Sequence, residues 1–209
     1  MPPGHRARVS DPVSDSPFTF MNEFARSPRT VASLTPSGRV LSRQIAVSVP
    51  ASGDPVVVEL GPGTGAFTQM IQTTLAGRGH HVAIDVNDRF TTLLADRFPG
   101  VEVVTADARR IGVVLGERGL DHADVVISGL PWAAFGRDLR SETMTAVADA
   151  LTPDGAFTTF AYLHALWSGP ARRFRRLLDE RFEEVVAGRT VWANLPPAFV
   201  YHCRRPRRR

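Results

Sequence analysis

The chain has 209 residues, enough for one domain with a full α/β core and too few for two comfortable ones. One cysteine, Cys203, excludes an internal disulfide, and no Cys/His spacing fits a zinc site. No charged-then-apolar leader marks a secretory signal and no run of about 18 apolar residues marks a span, so a reduced, intracellular protein is expected. All 25 basic residues are arginine, against 21 acidic ones, and five of them lie in the closing "RRPRRR". The other 203 residues therefore carry 20 arginines against 21 acids and are near neutral. A weaker excess sits in residues 1–50, so both ends are candidates for an anionic surface.

In chain order, residues 1–16 are expected to be a disordered segment. "PFTFMNEFARS", residues 17–27, predicts a helix starting at Pro17, with Phe20, Met21 and Phe24 on one face beside Arg26 and Arg29. That face reads equally as an interfacial membrane helix or as a lid over a ligand. "TPSGRVLSRQIAVSV" predicts a second helix with Val40, Leu41 and Ile45 turned to the core, so residues 17–50 form an N-terminal helical segment. Residues 51–203 follow as the main domain and 204–209 as a basic tail.

Within the main domain, "PVVVEL", "HHVAID", "VEVVTA", "ADVVIS" and "AFTTFAYL" read as strands rich in β-branched residues. "GAFTQMIQTTLAGR", "NDRFTTLLADRF" and "RDLRSETMTAVADAL" between them have helical spacing. This alternation predicts an α/β fold with a doubly wound parallel sheet. The last stretch, "FEEVVAGRTVWANLPPAFVYHCRR", has two strand-like runs with no helix between them and predicts an antiparallel hairpin at the sheet edge. In "PARRFRRLLDERF", Arg175 and Asp179, and Arg176 and Glu180, stand at i, i+4 and favour a solvated helix face.

A doubly wound sheet holds its ligand at the carboxyl ends of the strands. There "ELGPGTGA" places Gly61, Gly63 and Gly65 where the backbone must turn and a ligand approach closely. "GPGTGA" also satisfies a dinucleotide pattern, but three further features decide against one. Glu59, two residues before the first glycine, suits the ammonium of a methionine-like ligand and would repel a pyrophosphate. Asp107 in "VVTADARR" can accept from an exocyclic adenine amine, and "SGLPWAAF" after the fourth strand is a loop that a dehydrogenase does not need. Asp85, at the end of the second strand, can accept both hydroxyls of a ribose.

"ELGPGTG" with Asp85, Asp107 and the closing hairpin resembles the class I S-adenosylmethionine-dependent methyltransferases over residues 55–203. "FARSPRTVASLTPSGRVLSRQI", "ELGPGTGAFT", "SGLPW" and "VWANLPPAFVY" together look like the bacterial phospholipid N-methyltransferases, which convert phosphatidylethanolamine toward phosphatidylcholine. The resemblance implies a Rossmann-like, seven-stranded, mostly parallel sheet with an antiparallel C-terminal hairpin, preceded by helices. It implies S-adenosylmethionine as cofactor and no metal. Glu59, Gly61, Pro62, Gly63, Gly65, Asp85, Val86, Asp107, Ala108 and Ser128 would surround the cofactor. Gly129, Leu130, Pro131, Trp132 and Tyr162 would surround the acceptor amine, with the Gly129 and Leu130 carbonyls holding it and Trp132 offering either a ring face to the methylated product or a hydrophobic lid. An anionic membrane surface and a phospholipid are the expected partners, at the cytoplasmic, inner face of the membrane.

The resemblance extends to ribosomal RNA adenine dimethyltransferases, whose loop after strand four begins with Asn where this chain has Gly129. The missing amide argues against a planar base amine. The expected activity is N-methylation of the phosphatidylethanolamine head group. The alternatives are an RNA adenine N6-methyltransferase, an N-methyltransferase of a small-molecule or peptide amine, and a lipid-surface binding protein that keeps the cofactor fold.

Overall fold

The strands form because their β-branched residues can alternate between two buried faces. In β1 (Val56–Leu60) Val57 faces one helical layer and Val58 the other, and both are fully buried. The computed structural model describes residues 36–207. After β1 come α2 (Ala66–Leu75), β2 (His80–Asp85), α3 (Asp88–Arg97) and β3 (Glu102–Thr105). The short α4 (Ile111–Gly116), β4 (Ala123–Ser128), α5 (Arg137–Ala150) and β5 (Leu151–Tyr162) follow. The chain ends with α6 (Gly169–Arg181), β6 (Phe182–Ala187) and β7 (Ala198–Pro206), and α1 (Pro36–Ile45) precedes them all.

The seven strands lie in the order β3-β2-β1-β4-β5-β7-β6. β1 to β5 are parallel, and β7 runs antiparallel to both β5 and β6. The expected doubly wound sheet with an antiparallel C-terminal hairpin is what forms, with β7 inserted between β5 and the edge strand β6. Helices α4, α5 and α6 cover one face through Ile111, Met144, Val147, Phe174 and Leu178. On the other face, α1 and α2 pack through Leu41, Ile45, Ile71 and Leu75, and α3 through Leu94 and Phe98. Strand order reverses between β1 and β4, so a crevice opens at their carboxyl ends.

Three expectations are corrected. Val40 is 43% exposed, whereas Leu41 and Ile45 are buried, so α1 meets the core along a narrower stripe. This helix is part of the main core, and Thr158 Oγ1 donates to its last carbonyl, Ile45 O, at 3.0 Å. The basic tail begins later than expected, because β7 runs to Pro206, with Arg204 opposite Glu184 and Pro206 opposite Phe182. Arg205 pairs with both Glu183 and Glu184, which neutralise part of the terminal charge. The proposed helix at residues 17–27 and the segment 1–16 lie outside the described residues. Among the described residues no helix is long and apolar enough to cross a membrane.

Candidate active site

Two loops meet at the crevice. Gly129 N donates to Leu60 O at 2.8 Å and Gly61 N to Ile84 O at 2.9 Å, which ties the ends of β1, β2 and β4 together. Gly61, Gly63 and Gly65 all have positive φ, as the turn from β1 into α2 requires. Their further roles differ from the expectation that all three clear a path for a ligand. A Cβ on Gly61 would come within 2.8 Å of Leu130, and one on Gly65 within 2.7 Å of the Phe98 ring. Only at Gly63 would a Cβ meet open space. Pro62 is buried between them and caps the turn by accepting from Gly65 N at 2.9 Å.

Asp85 joins this loop to the end of β2. Its Oδ1 accepts from Asn87 N at 2.9 Å and its Oδ2 from Gly63 N at 3.3 Å. Burial raises its carboxyl above the usual carboxylate range, and the backbone donors of Asn87 and Gly63 offset part of that rise. Val86, half-buried, leads from it into the α3 N-cap at Asn87.

Glu59 lies deeper than a direct ligand contact from an open loop would suggest. Its side chain is fully buried on the α2 face, where Thr68 Oγ1 donates to Oε2 at 2.7 Å. His81 Nε2 stands 3.2 Å from the same oxygen, but out of line for a hydrogen bond. Gln72 Nε2 lies 3.0 Å from His81 Nδ1, and with the amide as donor the ring proton is on Nε2, facing Glu59. Glu59 Oε1 has no partner among the described residues. The sequence pattern does not single out His81 or this network. Its signal was the four-residue spacing of Thr68 and Gln72, which puts both on one face of α2.

Asp107 is less available than expected. Its carboxylate accepts from Arg109 Nε at 3.0 Å and Nη2 at 2.8 Å, and Oδ1 also caps the following turn by accepting from Arg109 N at 2.8 Å. The guanidinium holds its carboxyl below the usual range. Ala108, half-buried, starts that turn and packs against the core.

The loop after β4 is built on Ser128. Its fully buried hydroxyl oxygen accepts from Trp132 Nε1 at 2.9 Å and from Leu130 N at 3.2 Å. Trp132 is therefore no exposed ring awaiting a cation. It is 2% exposed, stacks on Phe174 at 5.4 Å between centroids, and meets Phe157 edge-on. The Leu130 carbonyl already accepts from Trp132 N at 3.0 Å, whereas the Gly129 carbonyl accepts no backbone hydrogen bond among the described residues. A Cβ at position 129 would lie 2.5 Å from the Gly61 carbonyl oxygen, so the glycine follows from the meeting of the two loops. Beyond the loop lies a cavity of about 160 Å³ lined by Leu130, Pro131, Trp132, Phe160, Tyr162 and Phe174 among others, with no charged side chain among the described residues of its wall. Tyr162 stacks on His164 and meets Phe160 edge-on.

This donor set fits S-adenosylmethionine. Asp85 has a carboxylate that could accept from ribose hydroxyls, Gly63 leaves room beside it, and Glu59 Oε1 is a buried acceptor without a donor among the described residues.

Residues 57–155 match the family described as a methyltransferase domain. The ornithine lipid N-methyltransferase of Singulisphaera acidiphila is 34% identical over 193 residues, spanning 90% of this chain and 95% of that one. Two solved structures share the fold at low identity. The magnesium protoporphyrin IX methyltransferase of Synechocystis with bound S-adenosylmethionine has a TM-score of 0.65 at 12% identity, covering 94% of this chain and all of that one (100%). The N-methyltransferase NodS of Bradyrhizobium japonicum has a TM-score of 0.63 at 15% identity, covering 84% of this chain and 99% of that one. The chain belongs to the same methyltransferase family as the Singulisphaera enzyme, and it is an S-adenosylmethionine-dependent N-methyltransferase.

Proposed function

We propose that this enzyme methylates the primary amine of a membrane amino lipid. The observation that carries this reading is the 2.5 Å approach of a position-129 Cβ to the Gly61 carbonyl. It leaves the acceptor loop a backbone carbonyl and no side-chain amide, opening on a cavity whose wall holds no charged side chain among the described residues. An alkyl amine needs no more than that carbonyl to orient one N–H. A planar adenine amine lacks the side-chain acceptor that would hold it.

S-adenosylmethionine, when bound, supplies an electrophilic methyl group on its sulfonium. Asp85 would hold the ribose, the Gly61–Gly65 turn would admit the body of the molecule at Gly63, and the Glu59 network would take up a donor from its amino-acid end. At the acceptor side, the Gly129 carbonyl would orient the amine. An alkyl ammonium has a lysine-like pKa of about 10, and the apolar wall of Leu130, Trp132 and Phe174 favours its neutral, nucleophilic form by desolvation. The rest of the work is alignment of nitrogen and methyl carbon at near-attack distance.

Two lipids carry a suitable amine. Phosphatidylethanolamine is the acceptor expected from the sequence motifs, and an ornithine lipid is the acceptor in the name of the Singulisphaera relative. A membrane site is supported by Trp167, Trp192 and Leu195, which are 84%, 70% and 79% exposed. Leu163 N donates to Pro197 O at 2.8 Å, tying the two segments that carry them together at the active-site end of the sheet. The segments at this end, residues 162–178 and 187–198, carry arginines such as Arg172, Arg173 and Arg189 and no acidic residue, so this rim is basic and apolar together. The test is labelled S-adenosylmethionine offered with detergent-dispersed ornithine lipid, phosphatidylethanolamine and protein-free ribosomal RNA in parallel. Label in either lipid and none in RNA is the expected result. Label in adenine with none in lipid would replace this reading by RNA methylation.

A further inference from the structure

Arg140 is a buried cation with no anion beside it among the described residues. It sits in the first turn of α5, is 6% exposed, and among the described residues forms no ion pair; its guanidinium donates only to Phe135 O, at 3.3 Å. Its charged neighbours add to the cost. Arg137 stands one turn before it on α5 and Arg173 lies in the first half of the neighbouring α6, and its burial, then their like charge, push its guanidinium toward the neutral form. Neither neighbour has an ion pair among the described residues, and both are exposed. An unpaired buried charge is costly, and two more cations beside it add to a cost that a bound anion would relieve.

The cluster adjoins the acceptor loop. Phe135, whose carbonyl takes Arg140, packs on Trp132 at 5.7 Å, and Phe174, next to Arg173 on α6, stacks on the same ring at 5.4 Å. The three arginines thus stand beside the loop that runs from Gly129 to Gly136, at the N-terminal ends of α5 and α6. The cluster lies outside the residues expected to hold the cofactor, whose carboxylates Asp85 and Glu59 stand on β2 and β1.

We infer that Arg137, Arg140 and Arg173 form the binding site for the acidic group that an amino lipid carries a few bonds from its methylated amine. This rests on the amino-lipid reading and gives it a second point of attachment. The shared chemistry is an oxyanion: a phosphodiester in phosphatidylethanolamine, a carboxylate in an ornithine lipid. Guanidinium groups bind either through paired N–H donors. Holding acid and amine together fixes the head group in one direction along the loop, with the amine toward Gly129 and the acid toward α5.

The test uses soluble head groups, so that membrane attachment plays no part. Equilibrium dialysis of labelled glycerophosphoethanolamine, Nα-acetylornithine and plain ethanolamine against the parent should show the two acid-bearing amines binding about tenfold or more tighter than ethanolamine. Arg173→Gln and Arg140→Met should abolish that difference and leave S-adenosylmethionine affinity unchanged. Arg140→Met should also raise the melting temperature, since it removes an unpaired buried charge; an arginine with a purely structural role would lower it. Preference for glycerophosphoethanolamine over acetylornithine, or the reverse, identifies which oxyanion the cluster fits. Equal binding of all three amines by parent and variants would overturn the inference, as would a loss of cofactor affinity in the variants. If the arginine dependence holds but neither parent lipid is methylated, the oxyanion site stands and the amino-lipid reading falls.

Discussion

Gly129 and Asp85 carry most of the chemistry that single residues can be asked about. At Gly129 two accounts of the missing amide make different predictions. If the glycine merely lacks a side chain that a base substrate needs, Gly129→Asn would gain activity on adenine. If the backbone contact with Gly61 forbids any side chain, Gly129→Ala and Gly129→Asn should both displace the loops and lose about a hundredfold in kcat/KM, with secondary structure intact. Steady-state kinetics with circular dichroism on both variants separates the two, and the contact predicts the second. The sequence showed the glycine but not its cause, because the contact joins residues 68 positions apart.

At Asp85 the sign of the pH dependence is opposite for stability and for binding. Its folded carboxyl is raised above the ordinary 3.8 by burial, so the folded protein takes up this proton before the unfolded chain does as pH falls. Its contribution to stability is therefore fully present below the unfolded value and lost as pH rises through the folded one. If Asp85 holds the ribose as proposed, it does so in the ionised form, so affinity for S-adenosylmethionine should fall as pH drops through the raised value. Asp85→Asn should weaken binding at neutral pH, each charge-assisted bond being worth about 1.5–3 kcal/mol at most, and should flatten its acid limb. Calorimetry across a pH series reads this directly, and an acid limb retained in the variant would assign the titration to another group.

Elements with strong periodicity were legible before any coordinates: five strands at β1 to β5, helices α2, α3 and α5, and the closing hairpin. Arg175 and Asp179 also pair across one turn as their spacing suggested, at 2.9 Å. The misreadings share one cause, since each depended on a distant partner that local pattern does not encode. Val40 faces out because only Leu41 and Ile45 reach the sheet. Trp132 is buried because Phe174, more than forty positions later, supplies its stacking partner. Arg204 and Arg205 read as tail because charge concealed that β6 carries Glu183 and Glu184 to receive them. That last correction changes an experiment. Removing residues 204–209 takes away the end of β7 and not just charge, and should lower the melting temperature by roughly 5 °C, a loss on the order of 2 kcal/mol for a domain of this size. Differential scanning calorimetry checks it, and an unchanged transition would return Arg204 and Arg205 to the tail.

For the whole molecule, fold and cofactor follow from the switch point between β1 and β4, and the proposed route of the acceptor is the rim that surrounds it. If that rim meets the bilayer through Trp167 and Trp192, the double Ser variant should sediment less with anionic vesicles at every salt concentration, because buried apolar area is not screened. Its activity on detergent-dispersed lipid should be kept. Sedimentation equal to the parent's would move membrane contact away from this rim.

The central claim, that an amino lipid is the acceptor, is tested most directly inside a cell that makes both candidate lipids. Mass spectrometry of total lipids from cells expressing this chain should show methylated ornithine lipid, methylated phosphatidylethanolamine or both. Those products should be absent from cells expressing Gly63→Val, whose added side chain would fill the open space beside Asp85. Identical lipid profiles from the two cultures, with both proteins folded and present at equal level, would contradict the account.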